Sequence, residues 1–191
     1  MGTCFWRPAK KNVATAKAAP TGAGDIWTWV VMDADTKLVT GYFVGGRDGE
    51  CAKWFIEDDA QRLSNRVQLT SDGHKAYLEA VEGAFGADID YAQLVKLYGA
   101  SSESAKGRYS PADCTGIIKN PIEGKPDPAH ISTSYIERQN LTMRMHMRRF
   151  TRLTNAFPKK VENHAYAVAL HMMYYNFVIR SCGRRQQWPL A

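Results

Sequence analysis

Two runs of aromatic and β-branched residues, Ile26 to Met32 and Leu38 to Val44, are joined by the polar stretch Asp33-Ala34-Asp35-Thr36-Lys37. That pattern predicts a β-hairpin. From Glu50 to Leu63 the apolar positions Ala52, Phe55, Ile56, Ala60 and Leu63 recur at helical spacing, which predicts an amphipathic helix laid on the sheet. "RVQLTSD" then reads as a short strand, about Lys75 to Ala84 as a helix, and "YAQLVKLYG" as a second strand ending at Gly99. Strand, helix and strand in that order predict a parallel crossover beside the hairpin. Residues 1–24 have no clean period and read as an irregular lead-in, with order beginning at Ile26. Residues 99–130 are rich in Gly, Ser and Pro and read as a long insertion loop. Two helices close the chain, about Thr133 to Thr154 and Lys159 to Ile179, with Pro158 opening the second. The expectation is one α/β domain, a mixed sheet flanked by helices.

Composition narrows this only a little. A chain of 191 residues suits one ordinary domain with a core of its own. The cysteines Cys4, Cys51, Cys114 and Cys182 form no Cys-x-x-Cys pair, so a zinc ribbon or small disulfide scaffold is not indicated. They read as free thiols in a reducing compartment. No segment has signal-peptide character or the roughly 18 apolar residues of a membrane span, so a soluble, cytoplasmic protein is expected. A formal charge of +6 and a pI near 9.2 favour a polyanionic partner.

The position of that charge is more telling. Between Ile131 and Lys160 the only carboxylate is Glu137, among Arg138, Arg144, Arg148, Arg149, Arg152, Lys159 and Lys160. On one helix Glu137, Arg144 and Arg148 share a face, while Ile136, Met143, Met147 and Phe150 supply the buried stripe. Asp72 closes the short strand in "LTSDGHKAY". A carboxylate from a strand end and another from a helix are the ligands Mg²⁺ takes, because a hard cation prefers oxygen and keeps waters for its substrate. The plainer readings are a turn aspartate before glycine and a surface ion-pair partner. Spacing alone leaves both open.

The runs "VQLTSDGHKAYLEAVEGAFGADIDYAQLVKLYG" and "PDPAHISTSYIERQNLTMRMHMRRFTRLTNAFPKKVENHAYAVALHMMYYNFV" resemble the insertion-sequence-one group of transposases. The likeness extends from about Lys11 to Val178. It implies a DDE catalytic core, residues 25–180, on a ribonuclease H-like mixed sheet flanked by helices. It also implies that Asp72 and Glu137 are two of three metal-binding catalytic acids, with Mg²⁺ as cofactor and Mn²⁺ as its substitute. DNA, as transposon ends and target, is the implied partner; Arg138, Arg144, Arg148, Arg149 and Arg152 are the candidate phosphate contacts. A homo-oligomer is left open.

Two departures from the family pattern qualify the expected activity. The family's third acid lies on a first strand shortly before Lys-Asn-Val; here Lys11-Asn12-Val13 is present but "MGTCFWRPAK" before it has no acid. Asp33 and Asp35 are the nearest substitutes, and a turn role is the better reading of both. After "MMYYNFV" the chain continues as "IRSCGRRQQWPLA", a divergent tail over residues 181–191. The expected function is therefore metal-dependent DNA nicking and strand transfer by a transposase core impaired by loss of its first aspartate. The alternative is a non-catalytic DNA-binding remnant that interferes with full-length transposase.

Other residues carry less. His74 is balanced between a role beside the metal and a plain helix-start residue. His164 and His171, two turns apart, read as core or interface histidines. Met143, Met145, Met147, Met172 and Met173 read as packing residues, and Trp27, Trp29 and Trp54 mostly as core.

Overall fold

A computed structural model describes residues 3–5, 26–99, 114–150 and 161–180, without the side chains of 3–5 and 149. The opening hairpin is β2 (Ile26–Met32) and β3 (Val39–Gly45), antiparallel, with Trp27 opposite Gly45. Asp33 builds its turn. Its carboxylate accepts the Asp35 and Thr36 backbone N–H groups, and its backbone N–H donates to the Leu38 carbonyl. On the other edge of β2 lies β1 (Thr3–Phe5), antiparallel, with Cys4 opposite Trp27. A strand therefore lies within the segment whose pattern reads as an irregular lead-in. A three-residue strand is too short to show a period, and only its pairing to β2 defines it.

The crossover is parallel as expected, but it lies in a second sheet, so the expected single mixed sheet is divided in two among the described strands. Asp48 caps α1 (Gly49–Ala60), its Oδ1 accepting the Cys51 N–H at 2.9 Å. Then β4 (Val67–Asp72), α2 (Ala76–Phe85) and β5 (Ile89–Tyr98) follow, with β4 and β5 parallel and Asp72 opposite Leu94. The described strands form two three-stranded sheets, one ordered β1-β2-β3 and the other with β5 between β4 and a sixth strand.

The sixth strand corrects the 99–130 loop. β6 (Cys114–Glu123) runs antiparallel along β5. It was hidden because nearly all of it is exposed, so it lacks the alternation that marks a half-buried strand. Pro121 is tolerated because β6 is an edge strand and its register with β5 slips beside that residue.

Alternation along β2 puts its two faces into two cores. Trp29 and Val31 pack with Phe55 and Ile56 of α1, Tyr77 and Val81 of α2, and Leu69, Ile89 and Tyr91 from the other sheet. Val30, with Val39 of β3, packs on the opposite side against α3 (Ser134–His146) and α4 (Val161–Tyr174), through Ile136, Met143, Val168 and Met172. Helices thus cover both sides of the strands in a mixed α/β arrangement. The last helix continues as a π turn, Tyr175–Ile179, where the Asn176 side chain clasps both backbone polar groups of Val39 at 3.0 Å. Among the described residues no helix is long and apolar enough to cross a membrane.

The expected helix from Thr133 to Thr154 is shorter than its pattern. α3 stops at His146; Met147 is extended (φ −107°, ψ 106°), and Arg148–Phe150 form a separate 3₁₀ turn. The break lets Phe150 bury itself in the α3–α4 core and stack edge-on against His164 at 5.3 Å. The packing reading holds for Met143 and Met172, while Met145, Met173 and Trp54 are exposed. His164 and His171 are buried, as expected of core histidines.

Candidate functional site

Asp72 and Glu137 line the same cavity, of about 360 Å³. The cavity opens at the carboxyl ends of the parallel pair β4 and β5, where open α/β sheets place their ligands. Asp72 is there because β4 ends at it. Its Oδ1 accepts the His74 N–H at 3.2 Å, the short-range turn bond an aspartate makes before glycine. Gly73 is required by the approach of β5: a Cβ there would stand 2.8 Å from Val95 Cγ2. His74 also lines the cavity, with one ring nitrogen engaged locally. Its Nδ1 accepts the Ala76 N–H, its ring stacks on Trp29 at 5.9 Å, and its buried Nε2 has no hydrogen-bond partner among the described residues. Beneath Asp72, Ser71, Tyr91 and Gln93 form a buried hydrogen-bonded chain, with Ser71 Oγ to Tyr91 Oη at 2.6 Å.

The opposite wall is the first turn of α3. Burial of Ile136 and Met143 fixes the rotation of the helix, which turns Glu137 and Asn140 toward the cavity. A third side chain meets Glu137 there. Lys96, two residues beyond Leu94 on the same face of β5, puts its Nζ 2.5 and 2.6 Å from the two Glu137 carboxylate oxygens. Thr133 Oγ1 donates to Oε1 at 2.8 Å. Burial pushes the Glu137 carboxyl up, but the bonds from Lys96 and Thr133 outweigh it and hold the carboxyl below its usual range. The same bond raises the Lys96 ammonium. Arg47, held over the Trp27 ring at 4.1 Å, is the other cation on the cavity wall.

The arginine row is only partly assembled. Arg144 shares the Glu137–Asn140 face at the end of α3, and Arg138 is exposed beside it. Arg148 lies past the helix end, so its expected alignment with Glu137 is lost at Met147. The Arg149 side chain and Arg152 lie outside the described residues, as do Lys11-Asn12-Val13 and the 181–191 tail. Asp33 and Asp35 sit beyond the far end of β2 from Trp27, about 20 Å away at the rise of a strand, and neither lines the cavity. Sequence reasoning missed Lys96, Arg47 and Asn140. A lone cation inside the apolar run "AQLVKLY" was the available signal for Lys96.

Among the described residues no group of three or more His, Cys, Asp or Glu stands close enough to hold a metal ion. In kind and in number the two carboxylates suit one hard cation completed by water and a phosphate; they do not suit two. No protein-family model, curated protein or solved structure matches the chain.

Proposed function

We propose that the chain is the catalytic core of a DDE-type transposase on a ribonuclease H-like fold, acting on DNA by phosphoryl transfer. The observation that carries this reading is the convergence of Asp72 and Glu137, from a strand end and a distant helix, on one cavity. An antiparallel β1-β2-β3 unit and a parallel β4–α2–β5 crossover that share one core are the elements such a fold is built from, although the described strands form two separate sheets. Mg²⁺, or Mn²⁺ in its place, is the implied cofactor, with Asp72 and Glu137 to hold it. When bound, such an ion supplies an activated water or 3′-hydroxyl and charge stabilisation at the phosphate. Arg144 and Arg138 hold the DNA backbone along α3, Asn140 offers a neutral hydrogen-bonding group at the cavity wall, and Thr133 orients the Glu137 carboxylate.

A second reading, a non-catalytic DNA-binding remnant, is favoured by the ammonium seated across both Glu137 oxygens and by the two-acid count among the described residues. Mn²⁺-dependent nicking of supercoiled plasmid, beside filter binding to the same DNA, separates the two. The transposase reading expects nicking that falls to background in Asp72→Asn and Glu137→Gln with DNA affinity retained. Binding without nicking would establish the remnant, and a chain that fails to bind DNA would overturn both.

A further inference from the structure

We propose that the Lys96 ammonium and a divalent cation are alternative occupants of one position at Glu137, so that Lys96 sets the metal affinity of the cavity. The inference rests on the reading of Asp72 and Glu137 as metal ligands and adds a residue which that reading did not contain.

Lys96 does not touch Glu137 at one corner; its Nζ is within 2.6 Å of both carboxylate oxygens, the atoms a cation must use. Thr133 occupies one of those oxygens as well, leaving less of the carboxylate for any further partner. The Lys96 side chain is 26% exposed and that of Glu137 50%, so the ammonium is the more covered member of the pair at the cavity wall. The arrangement is also asymmetric: Asp72 uses Oδ1 for the turn, and among the described residues no hydrogen bond is made to its Oδ2. Arg47, which also lines the cavity, lies over the Trp27 ring.

The physical consequence follows from charge. Asp72, Glu137, Lys96 and Arg47 together are formally neutral. A divalent ion entering with Lys96 in place meets a carboxylate already neutralised and a like charge a few ångströms away. Removing the ammonium leaves Glu137 free to join Asp72 as a second oxygen ligand. Lys96 acts through Glu137 and is a positioning residue.

The test is Mn²⁺ binding by the full chain, read from the loss of the free-ion electron paramagnetic resonance signal and requiring no turnover. Lys96→Met should bind Mn²⁺ at least roughly tenfold more tightly than the unmodified chain. Lys96→Gln, a second route to the same loss of charge, should do likewise. Lys96→Arg, which keeps the cation, should show no gain, and the gain should vanish in Lys96→Met/Glu137→Gln. Equal Mn²⁺ affinity in the unmodified chain and Lys96→Met, abolished by Asp72→Asn, would overturn the role of Lys96 and leave the metal reading standing. No Mn²⁺ binding by either protein would overturn both.

Discussion

The two ends of the parallel pair β4 and β5 each carry a bidentate ion pair, and the pairs have different consequences. At the amino end Arg66 grips Asp90, with Nε and Nη2 to its two carboxylate oxygens at 3.1 and 2.9 Å. Arg66 also donates to the carbonyls of Ala87 and Ile89. Asp90 in turn accepts the Lys125 N–H at 2.8 Å, which ties the end of β6 to the start of β5. Every partner lies on a strand of this sheet or within a few residues of one, and the pair closes a corner. At the carboxyl end Lys96 reaches from β5 to Glu137 on a helix, across a cavity that Asp72 also faces. Nothing in backbone pairing needs that contact. A pair whose removal would open a cavity between independent elements is a better candidate for function than one buttressing a ladder.

The largest expected effect tests what holds the second pair in place. Met143 is fully buried and anchors α3 in the core, so Met143→Ala should cost about 3 kcal/mol in urea unfolding. If α3 were held chiefly by Lys96–Glu137, Lys96→Met would cost as much. That surface-edge pair is expected to contribute under about 1 kcal/mol.

The amino-end corner offers the next effect. Gly124 adopts φ +69°, and a Cβ there would fall 2.2 Å from Asp90 Oδ1 and 2.8 Å from the Ile89 carbonyl. Gly124→Ala should destabilise by about 2 kcal/mol in the same unfolding assay, through the left-handed backbone and the displaced carboxylate. An unchanged midpoint would show that the corner is not built as described.

The smallest effect is electrostatic. Hydrogen bonds from Arg66, then from the Lys125 backbone, lower the Asp90 pKa to about 2 from a usual 3.8. A depressed carboxylate contributes stability that is present above its unfolded value and is lost as pH falls through the folded one. Arg66→Ala should therefore move the Asp90 titration, followed by carboxyl-carbon NMR, upward toward 3.8, and should flatten the acid side of the stability curve between about pH 4 and 2. A titration that stays near 2 would assign the shift to the Lys125 N–H instead.

Much of the fold was legible because burial leaves a period in the sequence. Trp29 and Val31 alternate with Val30, and Phe55 and Ile56 recur at helical spacing, so β2 and α1 could be read directly. β6 could not, since a strand exposed on both faces carries no such period. The end of α3 was hidden for the opposite reason: Met147 and Phe150 keep the apolar spacing of a helix, yet the chain breaks between them to seat Phe150 against His164. Of the site, Asp72 and Glu137 were legible one at a time from their motifs. Lys96 was not, because a single lysine in a strand is equally consistent with a solvated edge.

The sequence by itself determined β2 to β5 and the crossover, since these depend on side chains within one turn or one pleat of each other, and the motif resemblance named two candidate acids on separate elements. The tertiary structure alone decided that those acids share a cavity, and that a lysine from β5 sits on one of them while the arginine row loses Arg148. Such meetings depend on how α3 rotates to bury Ile136 and Met143 against β2 and β3. That rotation is fixed by packing between segments far apart in the chain, which no local pattern encodes.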